Sequence, residues 1–318
     1  MSIQRVSSKW TKTVVLQRSR TVNEYIPVTR QYNRQTLERM TELFELNYIK
    51  PDHGTYGNGV MRVKTIHTFS PRPSSHSSDT EEKSPEDTDH LLSASSLPES
   101  SNQDIGTSSI RVTSYQLQYG TKQELYHSLD ELHKALEGRI QGHTYLIQQG
   151  IPLLKHEGLP FDLRVLTQKN LKNNWETTGI LGRIAAPGKI ITNIHGGGRL
   201  ATFEELVMPH LHTSGFQKLR SELYRLGIHT AVQLQKSFPR LKEIGIDIAL
   251  DETGRPWILE VNTLPGIYAF GLLPDKEAYR KIKRYAIAYG RLPSKKKKPA
   301  RHAAKSQASS STAKSRAR

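Results

Sequence analysis

The stretch EIGIDIALDETGRPWILEVNTLPG, residues 243–266, decides which fold the sequence predicts. Two runs rich in β-branched and other apolar residues flank the polar segment DETGR, a pattern typical of a β-hairpin. A two-residue turn at Thr253-Gly254 would place Asp247 directly across from Glu260 on the neighbouring strand. The opposite face would then be apolar and would carry Ile246, Ile248, Leu250, Trp257, Leu259 and Val261.

The polar face of this hairpin has the residues of a metal site. Asp247 and Glu260 would repel each other across the strands unless a cation lay between them. Asn262 shares their face, and two carboxylates with an amide are oxygen ligands that suit Mg²⁺. The alternative is an edge hairpin with a solvated polar face. The rigid Asn-Thr-Leu-Pro-Gly run after Glu260 favours the metal site, because it fixes where the chain leaves the ligands.

A second candidate site is YIKPDHGTYGNGVM, residues 48–61, in which Lys50 precedes Gly54, Gly57 and Gly59. Glycine lets backbone amides approach a ligand without a Cβ in between, and successive amides beside a lysine can bind phosphate oxygens. The spacing matches neither the Walker A nor the Rossmann pattern. A structural hairpin turn is the alternative, so the phosphate interpretation needs partners elsewhere in the chain.

The remaining elements are mixed in type. Strands are predicted at residues 48–50, 60–65, 111–117, 145–149, 163–168, 179–185, 244–250 and 256–261. One helix is predicted at residues 35–45 with Leu37, Met40 and Phe44 inward, and another around the stripe Leu125, Leu129, Leu132 and Leu136. Residues 204–242 are predicted to be helical with breaks at Pro209, Gly215, Gly227 and Pro239. Because strands and helices do not alternate strictly, we expect an α+β fold built on antiparallel sheets.

Charge is distributed unevenly along the 318 residues, whose formal charge is +16. Residues 70–110 are rich in Ser, Pro and acids with a net charge of −6, and predict a disordered insertion. Residues 294–318 carry nine Lys or Arg and no acid, and predict a disordered basic tail. The rest of the chain therefore keeps a charge of +13. A protein that binds a polyanionic small molecule would show this charge as readily as one that binds DNA. Nucleic acid is the disfavoured alternative, because aromatic residues do not interleave with the basic ones.

Composition also excludes several classes of protein. The chain has no cysteine, so it forms no disulfide, thiolate metal site or thiol nucleophile. No apolar run resembles a signal peptide or a membrane span. We expect one or two folded units in a soluble cytoplasmic protein without a membrane partner.

Together the two sites resemble the ATP-grasp superfamily, in which a lysine with a glycine-rich loop and an Asp with Glu-x-Asn hold Mg-ATP from two sides. LEVNTLPG, residues 259–266, resembles the metal-binding strand of D-alanine:D-alanine ligases. FDLRV and ITNIHGGG, residues 161–165 and 191–198, resemble the glutamate-ligating RimK type. Residues 7–290, apart from the insertion, most closely resemble the YheC/YheD family of endospore coat-associated ATP-grasp proteins. This resemblance implies two antiparallel-sheet subdomains, at about 27–147 and 148–290, that clamp Mg-ATP.

The resemblance also implies roles for individual residues. Those that contact the ATP phosphates are Lys9, Lys50, Gly54, Gly57 and Gly59. Those that bind the adenosine part are Gln148, Gln149, Gly150 and Ile151 at the adenine hinge and Asp162 at the ribose. Those on the phosphate and substrate side, expected to be catalytic, are Arg164, Arg183 and Asn193. Those that bind magnesium are Asp247, Glu260 and Asn262.

Four of these regions have plainer interpretations. Lys9 is alternatively an exposed terminal lysine, and Asp162 a turn residue before a strand. Arg164 is alternatively one half of a structural ion pair. His195, in NIHGGG, is interpreted as a loop histidine rather than a base.

In the resembling ligases, ATP phosphorylates a carboxylate to an acyl phosphate, which an amine then attacks. The protein contributes positioning and charge neutralisation by Mg²⁺, Lys and Arg. The sequence departs from these ligases at two places, and for this reason it supports nucleotide binding better than ligation. Only eight residues precede Lys9, so we expect no leading α/β domain, and Gln148-Gln149 replace the usual acid and its polar neighbour.

The sequence therefore predicts an ATP- and Mg²⁺-binding protein that acts as a carboxylate-amine ligase on an unidentified substrate, linked to the endospore coat. The alternative is a non-catalytic nucleotide-binding protein of spore-coat assembly with coat proteins as partners. A nucleic-acid binder is the third interpretation.

Overall fold

A computed structural model of the protein describes residues 3–54, 57–71, 109–192 and 196–294. Most of the predicted insertion, residues 72–108, and the predicted tail from residue 295 lie outside the described residues, as do Asn193 and His195.

The chain forms two antiparallel sheets. The strands of the first are β1 (Thr29–Gln31), β2 (Leu46–Pro51), β3 (Met61–Pro71), β4 (Ser109–Tyr119), β5 (Lys122–Tyr126) and β6 (Tyr145–Gln149), in the order β1-β6-β2-β3-β4-β5. Those of the second are β7 (Lys155–His156), β8 (Leu159–Lys169), β9 (Trp175–Ile184), β10 (Arg199–Ala201), β11 (Glu243–Leu250) and β12 (Pro256–Asn262), in the order β10-β9-β8-β11-β12 with β7 beside β8. The predicted α+β class with antiparallel sheets is confirmed.

Helices cover one face of the first sheet and both faces of the second. They are α1 (Lys9–Gln17), α2 (Arg20–Asn23), α3 (Arg34–Leu43), α4 (Leu129–Ile140), α5 (Phe203–Val207), α6 (Thr213–Ser237) and α7 (Lys276–Ala288). α3 and α4 pack on the first sheet through Leu37, Met40, Leu132 and Leu136. α1, α2, α5 and α6 share one core with the second sheet, and α7 with a short 3₁₀ helix at Tyr268–Leu272 covers its other face. In the part of the chain that the structure describes, no helix is long and apolar enough to cross a membrane.

Two helix predictions are wrong in detail. Leu125 belongs to β5 and is 52% exposed; α4 begins only at Leu129, where Ser128 accepts a hydrogen bond from the Glu131 amide as N-cap. α6 runs without interruption through Gly215 and Gly227. The pattern also missed α1 and α7, the helices at the two ends of the folded chain, and the short strands β1, β5, β7 and β10.

In the hairpin of β11 and β12, the candidate metal ligands pair as predicted, but the turn differs from the predicted one. Asp247 pairs with Glu260, and Gly245 pairs with Asn262. The turn has three residues rather than two, because the Asp251 amide donates to the Arg255 carbonyl at 3.0 Å.

A register shift after Asp247 compensates for the longer turn, so Ile248 pairs with Ile258. Ile258 is therefore buried, at 3% exposure, as are Pro256 and Val261 of the same strand. Trp257 and Leu259, predicted to lie in the core, are only partly buried.

The strand pairing of β3 with β4 extends to Pro71 and Ser109, two residues into each end of the predicted insertion.

Candidate functional site

A narrow cleft between the two sheets gathers four of the predicted site residues: Lys9, Lys50, Gln148 and Glu260. It encloses about 30 Å³ and is lined by α1, by the end of the first sheet and by β12. Its polar lining consists of Lys9, Lys12, Thr13, Thr29, Lys50, Gln148 and Glu260. A space of this size holds about one water molecule.

Lys9 and Lys50 enter the cleft from α1 and β2. Lys9 Nζ donates to the Gly54 carbonyl at 3.2 Å and lies 3.8 Å from Glu260 Oε1. Lys50 Nζ donates to Gln148 Oε1 at 2.6 Å. Burial lowers the pKa of Lys50 to about 8, although nearby Glu260 acts in the opposite direction.

Lys12 is a third cation of the cleft, and sequence reasoning missed it. It is only 4% exposed, and its Nζ donates to the Val6 carbonyl at 3.2 Å. Burial lowers its pKa to about 8. The spacing of Lys9 and Lys12 would have placed both on one helix face, had α1 been recognised.

Behind the lysines lies a buried network of acids and arginines. Arg183 donates to both oxygens of Asp162, at 2.8 and 2.5 Å, and lies 3.1 Å from Asp247 Oδ2. Arg164 Nε donates to Asp247 Oδ1. Burial alone would raise the pKa of Asp247, but the charges of Arg164 and Arg183 hold it below its usual value. Thr192, another residue that sequence reasoning missed, donates to Asp162 Oδ2 at 2.7 Å.

This network gives Asp162 and Arg164 different surroundings from those predicted. Asp162 is 3% exposed, and both of its oxygens are directed at Arg183 and Thr192 rather than at the cleft. It lies within β8, not in a turn before it. Arg164 forms an ion pair with Asp247, as the alternative interpretation of this residue predicted. Asp162 therefore orients Arg183.

The three predicted magnesium ligands occupy neighbouring positions on β11 and β12. Two carboxylates and an amide remain a donor set that fits Mg²⁺. Each oxygen of Asp247 already accepts from an arginine, but an ionised carboxylate offers about four acceptor positions, so two stay available. The described residues contain no group of three or more His, Cys, Asp or Glu placed to hold a metal, so the amide of Asn262 would be needed to complete the set.

At the predicted hinge, most polar groups have protein partners. The Gln148 side chain joins Lys50 to Thr29, whose hydroxyl it approaches at 3.0 Å. The amide of Gln149 donates to Val28 at 2.8 Å and that of Gly150 to Leu46 at 2.7 Å.

Ile151, the last hinge residue, differs from its neighbours. Among the described residues its amide finds no backbone acceptor, although the side chain is 5% exposed. Within the described residues this N–H is therefore available to a ligand where the chain passes from one sheet to the other, and a ligand acceptor would remove the cost of an unpaired buried donor.

The glycine loop has the backbone that its composition predicts. Gly57 and Gly59 have φ of +73° and +75°, and Gly54 has φ of +141°, conformations that other residues rarely adopt. A Cβ at Gly59 would also lie 2.8 Å from the Tyr145 hydroxyl. Residues 55 and 56 lie outside the described residues.

Asp52, between Lys50 and the glycine loop, ties this loop to α1. Its Oδ1 accepts from Ser8 Oγ at 3.0 Å and from the Trp10 amide at 2.7 Å, and its carbonyl accepts from the Lys9 amide at 3.0 Å. No local pattern predicts this contact, because the partners are more than 40 residues apart in the chain.

Several known proteins are similar to parts of this chain. The chain is 33% identical over 122 residues to the endospore coat-associated protein YheD of Bacillus subtilis, covering 38% of this chain and 26% of YheD. It is 27% identical over 128 residues to the endospore coat-associated protein YheC of the same organism, covering 40% of this chain and 35% of YheC. A D-alanine–D-alanine ligase of Gloeobacter violaceus is 33% identical over 57 residues, covering 18% of this chain and 19% of that enzyme. The alignments thus span about a third or less of each relative's own length.

The family model described as YheC/D-like ATP-grasp matches residues 3–292, which include both sheets and the whole cleft. The chain therefore belongs to the YheC/YheD-like ATP-grasp family.

Proposed function

We propose that the protein binds Mg-ATP in the cleft between its sheets and uses it to activate a carboxylate for attack by an amine. The observation that carries the proposal is an excess of positive charge. Lys9, Lys12 and Lys50 line the cleft, and Glu260 is the one carboxylate among its lining residues. Buried cations require anionic partners, and a triphosphate supplies them.

In this proposal each group of residues acts on a different part of the bound Mg-ATP or its substrate. Lys9, Lys12 and Lys50 attract the phosphates, and the amides of Gly57 and Gly59 cover them. Asp247, Glu260 and Asn262 would hold magnesium, which neutralises phosphate charge when bound. Arg164, Arg183 and Asn193 act on the phosphate and substrate side. The free Ile151 amide is a donor for the adenine ring.

The nucleotide also needs space. The cleft of about 30 Å³ is far smaller than an adenine ring, so the two sheets must separate for ATP to enter. We propose that they belong to subdomains at about residues 27–147 and 148–290, with the boundary near the end of β6. A moving boundary there agrees with a hinge between Gln149 and Ile151.

Ligation is tested by nucleotide turnover. Purified protein is incubated with Mg-ATP and a panel of carboxylates combined with amines, and ADP release is measured. We expect one class of acid to stimulate release in the parent and not in Glu260→Gln. ATP binding without stimulated release across a broad panel would refute ligation.

A non-catalytic role in the endospore coat is the second candidate. It is favoured by the relatives YheD and YheC, both named endospore coat-associated. Under this proposal the chain binds nucleotide, releases no ADP above background, and co-purifies with coat proteins.

A further inference from the structure

The loop at residues 263–266 directly follows Asn262, the proposed amide ligand of magnesium, at the end of β12. It lies over β11, because a Cβ at Gly245 would be 2.6 Å from Pro265 Cβ and 3.1 Å from Arg164 Cδ. Gly245 is also the strand partner of Asn262. The position of the loop is therefore coupled to that of Asn262 and to the surroundings of Arg164.

Two contacts from distant parts of the chain hold this loop. Thr263 Oγ1 accepts from the Val6 amide at 2.8 Å, and Thr263 is buried. Arg291 Nη2 donates to the Pro265 carbonyl at 2.7 Å. Because a charged donor makes a stronger hydrogen bond than a neutral one, the contact from Arg291 is the firmer of the two. The loop is thus fixed from one side by the N-terminal segment and from the other by the chain that follows α7.

Arg291 is itself anchored by a buried acid of the second sheet. Its Nη1 donates to Glu243 Oε1 in an ion pair, and Glu243 is fully buried. The Tyr289 hydroxyl donates to Glu243 Oε2 at 2.7 Å and accepts from Gln168 Nε2 at 2.6 Å. Glu243 and Asp247 both belong to β11. Arg291 therefore ties the loop to the strand that carries one of the proposed metal ligands.

The shape of Arg291 suits it to this position. One guanidinium nitrogen binds Glu243 and another binds Pro265, a fork that the single ammonium of a lysine reproduces poorly. Among the described members of this network, Arg291 is the one that hydrogen-bonds to the loop. It does not line the cleft, so its effect on a ligand there must pass through the residues that it holds.

We propose that Arg291 is a positioning residue for magnesium, which holds the loop so that Asn262 lies beside Asp247 and Glu260. This inference rests on the proposed function, since it takes those three residues as the metal ligands. Magnesium requires nearly ideal octahedral geometry, so displacement of one ligand weakens its binding. Loss of a residue that holds a ligand in place typically lowers metal affinity by about 10–100-fold.

The test compares Arg291→Met with Tyr289→Phe in the full-length protein. Both variants remove a hydrogen bond to Glu243, but only Arg291→Met also releases the Pro265 carbonyl. Calorimetry with ATP, in the presence and absence of Mg²⁺, gives the factor by which the metal raises the affinity. We expect Arg291→Met to lose most of this factor and to keep the affinity for metal-free ATP. Tyr289→Phe should keep both, and Arg291→Lys should lie between the two variants.

A second variant and a second measurement guard against a general loss of structure. Arg291→Met leaves the Glu243 carboxylate buried without its cation, whereas the double variant Glu243→Gln/Arg291→Met removes that charge as well and should lose the same factor. Hydrogen exchange measures the loop without any nucleotide. Exchange in a peptide that contains residues 263–266 should be faster in Arg291→Met than in Tyr289→Phe.

Equal responses to Mg²⁺ in Arg291→Met and the parent would overturn the proposal. So would a loss of affinity for metal-free ATP as large as the loss for Mg-ATP, because the effect would then be a general one. If Mg²⁺ leaves ATP binding by the parent itself unchanged, the proposed metal ligands are refuted, and this inference falls with them.

Discussion

At the scale of single residues, the contact between Lys50 and Gln148 keeps an ammonium group available to an anionic ligand. Gln148 Oε1 accepts from Lys50 Nζ at 2.6 Å without carrying a charge. Glu at this position would give Lys50 a buried ion-pair partner that competes with phosphate. We expect Gln148→Glu to weaken Mg-ATP binding about tenfold in calorimetry, equivalent to about 1.4 kcal/mol. Gln123→Glu, at an exposed position of β5, is the control; equal affinities of the two variants would contradict this role.

The buried lysines also make the protein sensitive to pH. Burial lowers the pKa of Lys12 and Lys50 to about 8, so both are charged at lower pH and lose protons above it. Affinity for ATP should therefore fall as the pH rises through about 8. Without nucleotide, the free energy of unfolding should rise between about pH 8 and 10.5. In this range the unfolded chain binds more protons than the folded one.

Urea titrations at about pH 7.5 and about pH 9.5 measure this change. The parent should gain stability at the higher pH, and Lys50→Met should gain less. An identical pH dependence in parent and variant would show that Lys50 is not the source.

The features that the sequence revealed are those that follow from local spacing. The pairing of Asp247 with Glu260 and the positive φ of the loop glycines could be predicted, because a hairpin and a turn constrain near neighbours. Asp52 could not, since its partners at Ser8 and Trp10 meet it only in the folded chain. The pairing of Arg183 with Asp162 likewise depends on the register of β8 against β9.

At the scale of elements, α6 shows why a glycine in a helical pattern need not end the helix. A Cβ at Gly227 would lie 2.4 Å from Thr177 Oγ1 and 2.5 Å from Thr167 Oγ1. The glycine is thus required by close packing of α6 on β8 and β9. Sequence alone cannot distinguish this from a break, because both place a glycine between apolar residues.

Two glycine-to-alanine substitutions test this explanation. Gly227→Ala should lower the free energy of unfolding by about 1–3 kcal/mol, because the methyl group overfills the interface. Gly138→Ala, in α4, meets nothing within 4 Å and should raise it by up to about 1 kcal/mol through helix propensity. Urea denaturation measures both, and a stabilising Gly227→Ala would rule out the packing explanation.

The start of α1 depends on Asp52 for two of its hydrogen bonds. Asp52→Ala should cost about 1–2 kcal/mol of unfolding free energy, as for the loss of a helix N-cap. Asp52→Asn keeps an acceptor oxygen and should cost less. If the two variants lose equal stability in urea denaturation, the contact to α1 contributes nothing.

At the scale of the whole molecule, the fold class followed from the mixture of elements, since strand runs outnumber helices and rarely alternate with them. What could not be predicted is how closely the two sheets approach. The cleft between them depends on α1, which contacts the glycine loop at its start and packs on α6 through Val15 and Leu16. α1 therefore links the glycine loop to the sheet that carries the acids.

The central claim is that Mg-ATP binds between these two sheets, and its most direct test is thermal unfolding with and without the nucleotide. We expect Mg-ATP at about 100 times its Kd to stabilise the parent protein by about 2.7 kcal/mol. Lys50→Ala, from the first sheet, and Glu260→Gln, from the second, should each remove most of the resulting rise in Tm. An undiminished rise in both variants would contradict binding between the sheets.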